Sequence, residues 1–349
     1  PTPIVPLAAL PSLDLSRSTL SGVAMTSSDD GWIVGENSGY ALILRYRAGR
    51  WLPQPATVAQ SWLQAVAFAG TQHGWAVGYH VMDGPPPTDT PTARTLSTEA
   101  LILHYQEGHW SRVIPSIAIT GTLTKIRLIS ADDWWALNYQ GEGGPLNLLH
   151  YNRGAWSLLP LPPDVTDAHG LAVAGPDDIW IGIAGGVMHM HGTAREQSSQ
   201  SINANLLALD LHEPRNGWAA GLTFCGAPST TSPVCDQRVA LYHYDGATWA
   251  PAATDAHGEL DAVAMTSSDD VWAAGTTMNK TQSASLILRY QNGEWHQYAT
   301  TFPVDITALS MTNSTEGWAI GYARLPQATG NAPGLLHCRD GVWTHISLT

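Results

Sequence analysis

Residues 261–275 read DAVAMTSSDDVWAAG, and residues 285–295 read SLILRYQNGEW. The first stretch alternates apolar and other residues, turns at its Ser and Asp residues, and continues as a short apolar strand around Trp272. The second stretch is another apolar strand, which ends in a Gly-containing hairpin turn before Trp295. With the segment after this second tryptophan, the pattern predicts four short antiparallel strands joined by two tight turns and one variable loop.

The same unit occurs seven times along the 349-residue chain. The first halves align on one tryptophan each, at Trp32, Trp75, Trp134, Trp180, Trp218, Trp272 and Trp318. The second halves end at Trp51, Trp110, Trp156, Trp249, Trp295 and Trp343, whereas the fourth copy, GGVMHMHGTAREQ, lacks this residue. Four strands in about 40–50 residues match the size of a propeller blade. Each blade has two apolar faces that only neighbouring blades can bury, and a large flat tryptophan suits that structural contact.

The sequence therefore predicts an all-β fold, a seven-bladed β-propeller with four-stranded antiparallel blades. A β-sandwich or two smaller β-domains is the alternative, which seven in-phase copies disfavour. The Pro-rich segment 1–19 is extra to the blades, and we expect it to lie along the outer edge of the last blade. There it would help to close the ring; a disordered leader is the alternative. The predicted blades cover about residues 20–61, 62–121, 122–165, 166–204, 205–258, 259–304 and 305–349.

The charge balance excludes several classes of partner. The formal net charge is −13, only 13 % of the residues are charged, and Lys125 and Lys280 are the only lysines. Without a basic stripe to neutralise phosphates, nucleic-acid binding is not expected, and anionic membrane surfaces are disfavoured for the same reason. No apolar run approaches the roughly 20 residues of a spanning helix, so no transmembrane segment is predicted.

The cysteines indicate an oxidising compartment. Cys225 and Cys235 bracket the loop CGAPSTTSPVC, and we predict a disulfide between them, with two unrelated thiols as the alternative. Cys338 stands where sister repeats carry Tyr, which predicts a buried free thiol. The Pro-rich opening resembles the end of an extracellular linker, and the sequons at Asn279 and Asn313 are compatible with secretion. An extracellular or cell-surface location is therefore expected.

Two features of the repeat resemble known propeller families. The hairpin YDGATW at residues 244–249, with its relatives YQNGEW and YRAGRW, resembles the Asp-box or BNR hairpin of sialidase-like propellers. The SxDGWAVG…ILHYxxGxW rhythm is similar to bacterial propellers related to the photosystem II assembly factor and to kelch-type galactose-oxidase central domains. The resemblance extends from about residue 20 to 349 and implies the architecture, because these families share blades rather than chemistry. Most hairpins here lack the Asp and Thr of a complete Asp-box.

The residues that these families use for catalysis are not recognisable here. A sialidase-like site would need three clustered arginines, a nucleophilic Tyr with a Glu, and an acid. A copper-radical oxidase would need a Tyr–Cys crosslink and two His ligands, whereas Cys338 stands in a repeat strand without them. No motif of a nucleotide, serine-hydrolase or HExxH zinc site occurs, so no catalytic residue is predicted. The recurring arginines and several histidines occupy the same position in the third strand of their repeats, which predicts a structural role. These residues are Arg45, His104, His150, His243, Arg289 and His337.

Metal sites have only weak candidates in this sequence. His189 and His191 lie two residues apart, so they share a strand face and could hold copper or zinc. The alternative, which we favour, is the third strand of a divergent fourth blade. Paired acids occur in the first turns of four repeats, at Asp29-Asp30, Asp132-Asp133, Asp177-Asp178 and Asp269-Asp270. Such pairs could bind Ca²⁺, but Asp side chains in turns more often accept backbone hydrogen bonds. No cofactor is therefore expected.

The long loops between the second and third strands differ in every blade and lie on one rim of the ring. Diversity on a repetitive scaffold favours a binding surface. The predicted function is a non-catalytic extracellular propeller that binds a protein or glycan partner through this rim, with contacts from Tyr79, His80, Tyr139, Phe224 and Tyr322. One alternative is a polysaccharide hydrolase or lyase, which would need unrepeated carboxylates, His or Arg at the channel mouth. Another is a self-assembling subunit of a surface layer or filament.

Overall fold

Alternating apolar residues and tight turns fold the chain into short antiparallel strands. The computed structural model describes residues 4–6, 14–56, 58–82, 97–141, 144–192, 194–196, 202–224, 238–277, 284–298, 300, 302–323 and 332–348. Within these ranges the only helical element is a 3₁₀ turn at Leu15–Arg17. None of the described residues belongs to a helix long and apolar enough to cross a membrane.

After a short strand β1 (Ile4–Pro6), the first four repeats form four antiparallel sheets in chain order. The first blade holds β2 (Ser18–Ser27), β3 (Asp30–Asn37), β4 (Tyr40–Arg47) and β5 (Arg50–Pro53). The second holds β6 (Ser61–Ala69), β7 (His73–Met82), β8 (Ser97–Gln106) and β9 (His109–Val113). The third holds β10 (Thr122–Ser130), β11 (Asp133–Tyr139), β12 (Leu146–Asn152) and β13 (Ala155–Pro160). The fourth holds β14 (Ala168–Gly175), β15 (Asp178–Ile183), β16 (Gly186–His191) and β17 (Ala194–Glu196).

Three further sheets complete a closed ring. The fifth blade holds β18 (Ala204–Glu213), β19 (Asn216–Thr223), β20 (Val239–Tyr244) and β21 (Trp249–Pro251). The sixth holds β22 (Glu259–Ser267), β23 (Asp270–Thr276), β24 (Ser285–Gln291) and β25 (Glu294–Tyr298). The seventh holds β26 (Val304–Asn313), β27 (Glu316–Ala323), β28 (Ala332–Arg339) and β29 (Val342–His345). The first strand of each blade contacts that of the next, and β26 contacts β2, so seven inner strands surround a central channel. The predicted all-β, seven-bladed propeller is confirmed.

The N-terminal segment follows the prediction only in part. Strand β1 pairs antiparallel with β9, with Ile4 opposite Val113, so it extends the sheet of the second blade rather than the last. Residues 18 and 19 already belong to the inner strand of the first blade. Nearer the first blade the prediction is met, because the 3₁₀ turn contacts β28 of the last blade and Leu15 packs against the apolar cluster that Trp318 shares with Leu20. The edge that β1 covers is therefore that of the second blade.

The repeated tryptophan of each first half packs between its own blade and the next. Trp32 lies in a cluster with Leu63 of the second blade, and its ring centroid is 4.6 Å from that of Tyr105. Trp272 of the sixth blade is fully buried in the same way against Ile306 of the seventh. Burying so large a ring removes much apolar surface from water at every interface, which stabilises the ring.

The third blade corrects the sequence alignment. Trp135 lies opposite His150 just as Trp32 lies opposite Arg45, so Trp135 is the blade tryptophan of this repeat, and Trp134 is not. Trp134 instead packs toward the second blade. Adjacent strand residues point to opposite faces of a sheet, and the pair of tryptophans in the sequence does not tell which ring meets the next blade.

The repeated Arg or His of the third strand stacks on the blade tryptophan and binds an acid that opens the second strand. In the sixth blade, the Arg289 guanidinium lies 4.8 Å from the ring centroid of Trp272 and donates to both oxygens of Asp270 at 2.9 and 2.7 Å. This bidentate bond raises the pKa of Arg289. Such contacts explain why this position repeats, and they recur between Arg45 and Asp30, His150 and Asp133, His189 and Asp178, His243 and Asn216, and His337 and Glu316.

The second blade breaks this pattern. His73 stands where the other blades have an acid or an amide, and its ring lies 6.4 Å from that of His104. The His104 ring stacks on Trp75 at 4.1 Å, but its Nε2 atom is buried without a hydrogen bond to any described residue. Burial, and then the neighbouring His73, lower the pKa of His104 to about 4. This histidine is therefore held neutral.

Candidate functional site

The pairing of the first and second strands is interrupted at the same position near the start of the first strand in every blade. In the first blade, Leu20 lies opposite Gly35 and Gly22 opposite Val34, so Ser21 is an extra residue. Such a β-bulge redirects the side chain of the extra residue. All seven bulged residues line one cavity of about 260 Å³ in the channel. They are Ser21, Gln64, Thr124, His169, Leu207, Asp261 and Thr307, and we call them the bulge ring.

A glycine after the blade tryptophan makes room for the bulge. A Cβ atom on Gly35 would lie 1.9 Å from the carbonyl oxygen of Thr19, and one on Gly321 would lie 1.8 Å from that of Asp305. In the five blades that have this glycine no side chain fits there, so glycine allows the inner strand to approach, whereas the third and fourth blades have Asn138 and Ile183 at this position. This repeated glycine is the sequence signal from which the bulge could have been located.

The residues around the bulge ring are uniform, whereas the ring itself is not. The residue before the bulge is a fully buried Leu or Ile in six blades, at Leu20, Leu63, Leu123, Leu206, Leu260 and Ile306. The residue after it is Gly or Ala in six blades, at Gly22, Ala65, Gly170, Ala208, Ala262 and Ala308. The bulge ring contains hydroxyl, amide, imidazole, carboxyl and aliphatic side chains. Chemical diversity on the inner strands is thus concentrated at one level of the channel.

The bulge ring lies toward the rim of the long loops. Each inner strand starts at that rim and runs toward the short first turns, and the bulge comes near its start. Tyr322, near the end of β27, also lines the cavity, and burial raises the pKa of its hydroxyl. Of the five predicted contact residues, Tyr322 is the one that reaches this cavity.

The other four predicted contact residues lie on the same rim, outside the cavity. Tyr79 stacks on Trp62 with 5.5 Å between ring centroids. Burial lowers the pKa of His80, whose Nδ1 atom is buried without a hydrogen-bond partner in the part of the chain that the structure describes. Tyr139 and Phe224 are exposed, and their rings remain available to a large partner.

Several other predicted features fall at separate places. Cys225, Cys235 and Asn279 lie outside the described residues, so the disulfide stays a prediction. Cys338 is a buried free thiol as expected, and burial raises its pKa to about 12. Asn313 lies on an exposed turn of the opposite rim, where its side-chain oxygen accepts a hydrogen bond from the Thr315 backbone N–H at 2.8 Å.

Lys125 follows the bulge of the third blade, at the position where the other six blades have Gly or Ala. Its side chain lines the same cavity and is half-buried. Burial, and then the positive charge of Arg127, lower its pKa, while Asp261 acts in the opposite direction. A lysine in such surroundings is a functional-site candidate, since no other blade needs a charge there for packing.

A group of acids faces Lys125 from the sixth and seventh blades. Burial raises the pKa of Asp261 to about 7, and the negative charges of Glu259 and Asp305 act in the same direction. Burial also raises the pKa of Glu259, against the effect of His169. The cavity therefore has an acidic side and one basic residue.

A second charged pair lies deeper in the channel. Arg127 and Asp210 both stand three residues after a bulge, where four other blades have Ala. Arg127 donates to the Leu209 carbonyl oxygen at 3.5 Å, and Asp210 accepts from the Met265 backbone N–H at 2.8 Å. Burial raises the pKa of Asp210 although Arg127 lowers it. These bonds tie the third, fifth and sixth blades together, so this pair has a structural role that Lys125 lacks.

The metal candidates are engaged in scaffold contacts. The His189 ring stacks on Trp180 at 3.7 Å and its Nε2 lies 2.7 Å from an Asp178 oxygen, as in the other blades. The acidic turns differ from expectation, because the second Asp binds the Arg or His of the third strand. The turn itself is held by Ser27 Oγ, which accepts from the Asp29 backbone N–H at 3.3 Å. Among the described residues, no group of three or more His, Cys, Asp or Glu is placed to hold a metal ion.

Comparisons with known proteins agree with the fold. No protein-family model matches the chain, and no curated protein matches it significantly. Among solved structures, YCF48 bound to a D1 peptide is similar, with a TM-score of 0.62 and 16 % identity over 97 % of this chain and 99 % of that one. An ulvan lyase from a polysaccharide lyase family has a TM-score of 0.60 and 9 % identity, covering 97 % and 98 %. The β-propeller domain of the Trilobed protease from Pyrococcus furiosus has a TM-score of 0.56 and 10 % identity, covering 95 % and 98 %.

At these identities the similarity concerns the fold. The suspected likeness to the photosystem II assembly factor propeller is confirmed at that level by YCF48. The similar structures include one bound to a peptide and one named for a lyase, so the propeller alone does not select a function. The function of this chain has to be argued from the residues of its own channel.

Proposed function

We propose that this chain is a non-catalytic, extracellular or cell-surface binding propeller. Its protein or glycan partner docks on the long-loop rim, and part of the partner enters the channel as far as the bulge ring. The observation that carries this proposal is the contrast at the bulge, where uniform neighbours flank residues of five different chemistries. A packing requirement alone would have given the same residue in each blade, as it does one position earlier.

The cavity provides the contacts that such a partner needs. Gln64 and Thr307 offer hydrogen bonds, His169 and Asp261 offer titratable groups, and Tyr322 adds an aromatic edge. A few polar groups converging in a concave site are the usual basis of specificity. Exposed Tyr139 and Phe224 extend the same rim outward, and a propeller of this fold has been captured with a peptide.

The test compares matched variants on the two rims. Labelled protein is applied to glycan and peptide arrays, and every retained ligand is measured again with Gln64→Trp and Ser28→Trp. The first variant places a large ring in the cavity, and the second places the same ring on an exposed turn of the opposite rim. We expect Gln64→Trp to abolish binding and Ser28→Trp to leave it unchanged, while circular dichroism shows that both keep the fold. Binding that survives Gln64→Trp contradicts the proposal.

A polysaccharide hydrolase or lyase is the second candidate, and one observation favours it. Glu259, Asp261, His169 and Lys125 are unrepeated titratable groups that converge at the channel mouth, as an enzyme of this kind requires. A carboxyl with a pKa near 7 is suited to general acid–base chemistry at neutral pH. Incubation with a panel of neutral and uronic-acid polysaccharides would reveal new reducing ends or unsaturated products. Their loss in Asp261→Asn would establish this candidate instead of the binding role.

A further inference from the structure

Lys125 has no structural explanation in the repeat. The inner strands of six blades reach the same level with Gly or Ala, so the ring packs without a long side chain there. Only two lysines occur in the whole sequence, and this one lies within the channel. Enclosing an ammonium group costs free energy unless a counter-charge or hydrogen bonds compensate.

Such compensation is incomplete in the described part of the channel. Arg127 adds a second positive charge near Lys125, and Asp261 is the acid that offsets it. No carboxylate oxygen of the described residues lies within 4.0 Å of the Lys125 ammonium, so the two groups face each other without a direct ion pair. Lys125 is thus a half-buried cation that lines a cavity and has no carboxylate of the described residues close enough for an ion pair.

Negative charges lie close together on the wall of the cavity that faces Lys125. Asp261 belongs to the bulge ring and lies among acids, with Glu259 on its own strand and Asp305 on the next blade. The dehydrated carboxyl gains from a cation, just as Lys125 gains from an anion. Between the two walls lies the cavity of about 260 Å³, lined also by Ser21, Gln64 and Thr307.

We propose that the channel binds a zwitterionic group, whose carboxylate pairs with Lys125 and whose ammonium or guanidinium pairs with Asp261 and Glu259. This inference rests on the proposed function and names the ligand chemistry of the same site. Charge-assisted hydrogen bonds at both ends are stronger than neutral ones and fix the orientation of the ligand. The group is supplied either by a free amino-acid-type molecule or by the end of a polypeptide that has a basic last residue.

Calorimetric titration of the intact protein with simple probes tests this chemistry. The zwitterionic probes are glycine, β-alanine, γ-aminobutyrate and ε-aminocaproate, which differ in the distance between their charges. Butylamine and butyrate carry one charge each. We expect at least one zwitterion to bind about tenfold or more tightly than either singly charged probe. The peptide Gly-Gly-Lys with a free carboxylate, compared with its amide, distinguishes a chain end from a free small molecule.

Two variants with matched controls assign the charges. Lys125→Met should remove the contribution of the carboxylate, so that the zwitterion binds no better than butylamine. Asp261→Asn should likewise remove the contribution of the ammonium. Arg47→Met and Asp269→Asn delete the same charges at exposed positions outside the channel and should bind as the unmodified protein does. Thermal unfolding checks that all four variants keep the fold.

The proposal is overturned if no zwitterionic probe or peptide binds, if a singly charged probe binds equally well, or if Lys125→Met and Asp261→Asn both leave binding unchanged. The proposed function is judged separately by the array ligands. If those ligands still depend on Gln64 while the zwitterionic probes fail, the binding propeller stands and only this ligand chemistry is wrong.

Discussion

The interfaces between blades and the channel are built from the same inner strands, yet they follow opposite rules. At the interfaces the same residue types recur, namely Leu or Ile before the bulge and a buried tryptophan from the second strand. In the channel, one residue further along, Ser21, Gln64 and His169 have little in common. Every interface between blades has to bury the same kind of apolar surface, so the same residues repeat there, whereas the residues of the bulge ring face the channel and differ from blade to blade. The contrast separates residues that make the fold from residues available to a ligand.

Removing one interface tryptophan should have the largest effect on stability. Trp272→Ala leaves a cavity between the sixth and seventh blades and takes away the ring on which Arg289 lies. We expect a loss of about 3–5 kcal/mol in the free energy of unfolding. Urea unfolding followed by tryptophan fluorescence and circular dichroism measures it. A loss no larger than that of a channel variant would remove the distinction between the two regions.

Breaking one repeated ion pair should have the next largest effect. Asp270→Asn leaves the Arg289 guanidinium, on a side chain that is 10 % exposed, without its counter-charge. The expected loss is about 2–3 kcal/mol in the same urea experiment. Asp269→Asn changes the exposed neighbour in the same turn and serves as the control, for which little change is expected.

Repairing the exceptional second blade should stabilise the protein. His73→Asp supplies the acid that other blades place beside the repeated Arg or His, and we expect a gain of about 1 kcal/mol. In the unmodified protein the His104 pKa is about 4 in the fold and about 6.5 when unfolded, so the unfolded state binds more protons between these values. Stability should therefore fall as the pH falls from 6.5 toward 4.

The same substitution should also change this pH dependence. An acid beside His104 raises the pKa of the folded state toward or above its unfolded value, so the loss of stability on acidification should shrink. Urea midpoints at neutral and mildly acidic pH, for His73→Asp and the unmodified protein, measure the difference. An unchanged slope would mean that His73 does not act on His104 as described.

Channel substitutions should have the smallest effect on stability. Gln64→Ser keeps a polar side chain at a bulge position that lines the channel, so we expect a change within about 0.5 kcal/mol. Loss of array ligands in the same variant would separate binding from folding. A large loss of stability would instead show that the bulge ring supports the scaffold.

The architecture could be predicted because its causes are local and repeated. Each copy of the Trp strand and the Gly-containing hairpin favours the same structure, and seven copies leave little choice of fold. The N-terminal strand was misplaced because a Pro-rich segment does not specify which sheet edge it joins. Trp134 was taken for Trp135 because both residues satisfy the pattern of a buried strand.

The site was missed in the sequence because it depends on strand register. In DAVAM the alternation of apolar residues is visible, but the pattern does not reveal that Asp261 is an extra residue facing the channel. Gly275, which makes room for that bulge, occurs fourteen residues later, on the second strand. In the sequence, Lys125 contributed only to the charge balance. That it replaces a Gly or Ala becomes visible when the other six blades are superposed on its position.

The most direct test combines four substitutions in the channel, Gln64→Ser, Lys125→Ala, His169→Ser and Asp261→Ser. Urea unfolding and ligand binding are then measured on the same preparation. The account predicts a folded propeller whose stability stays within about 1 kcal/mol of the unmodified protein, together with loss of every ligand retained on the arrays. A protein that unfolds as readily as Trp272→Ala, or that still binds those ligands, would contradict it.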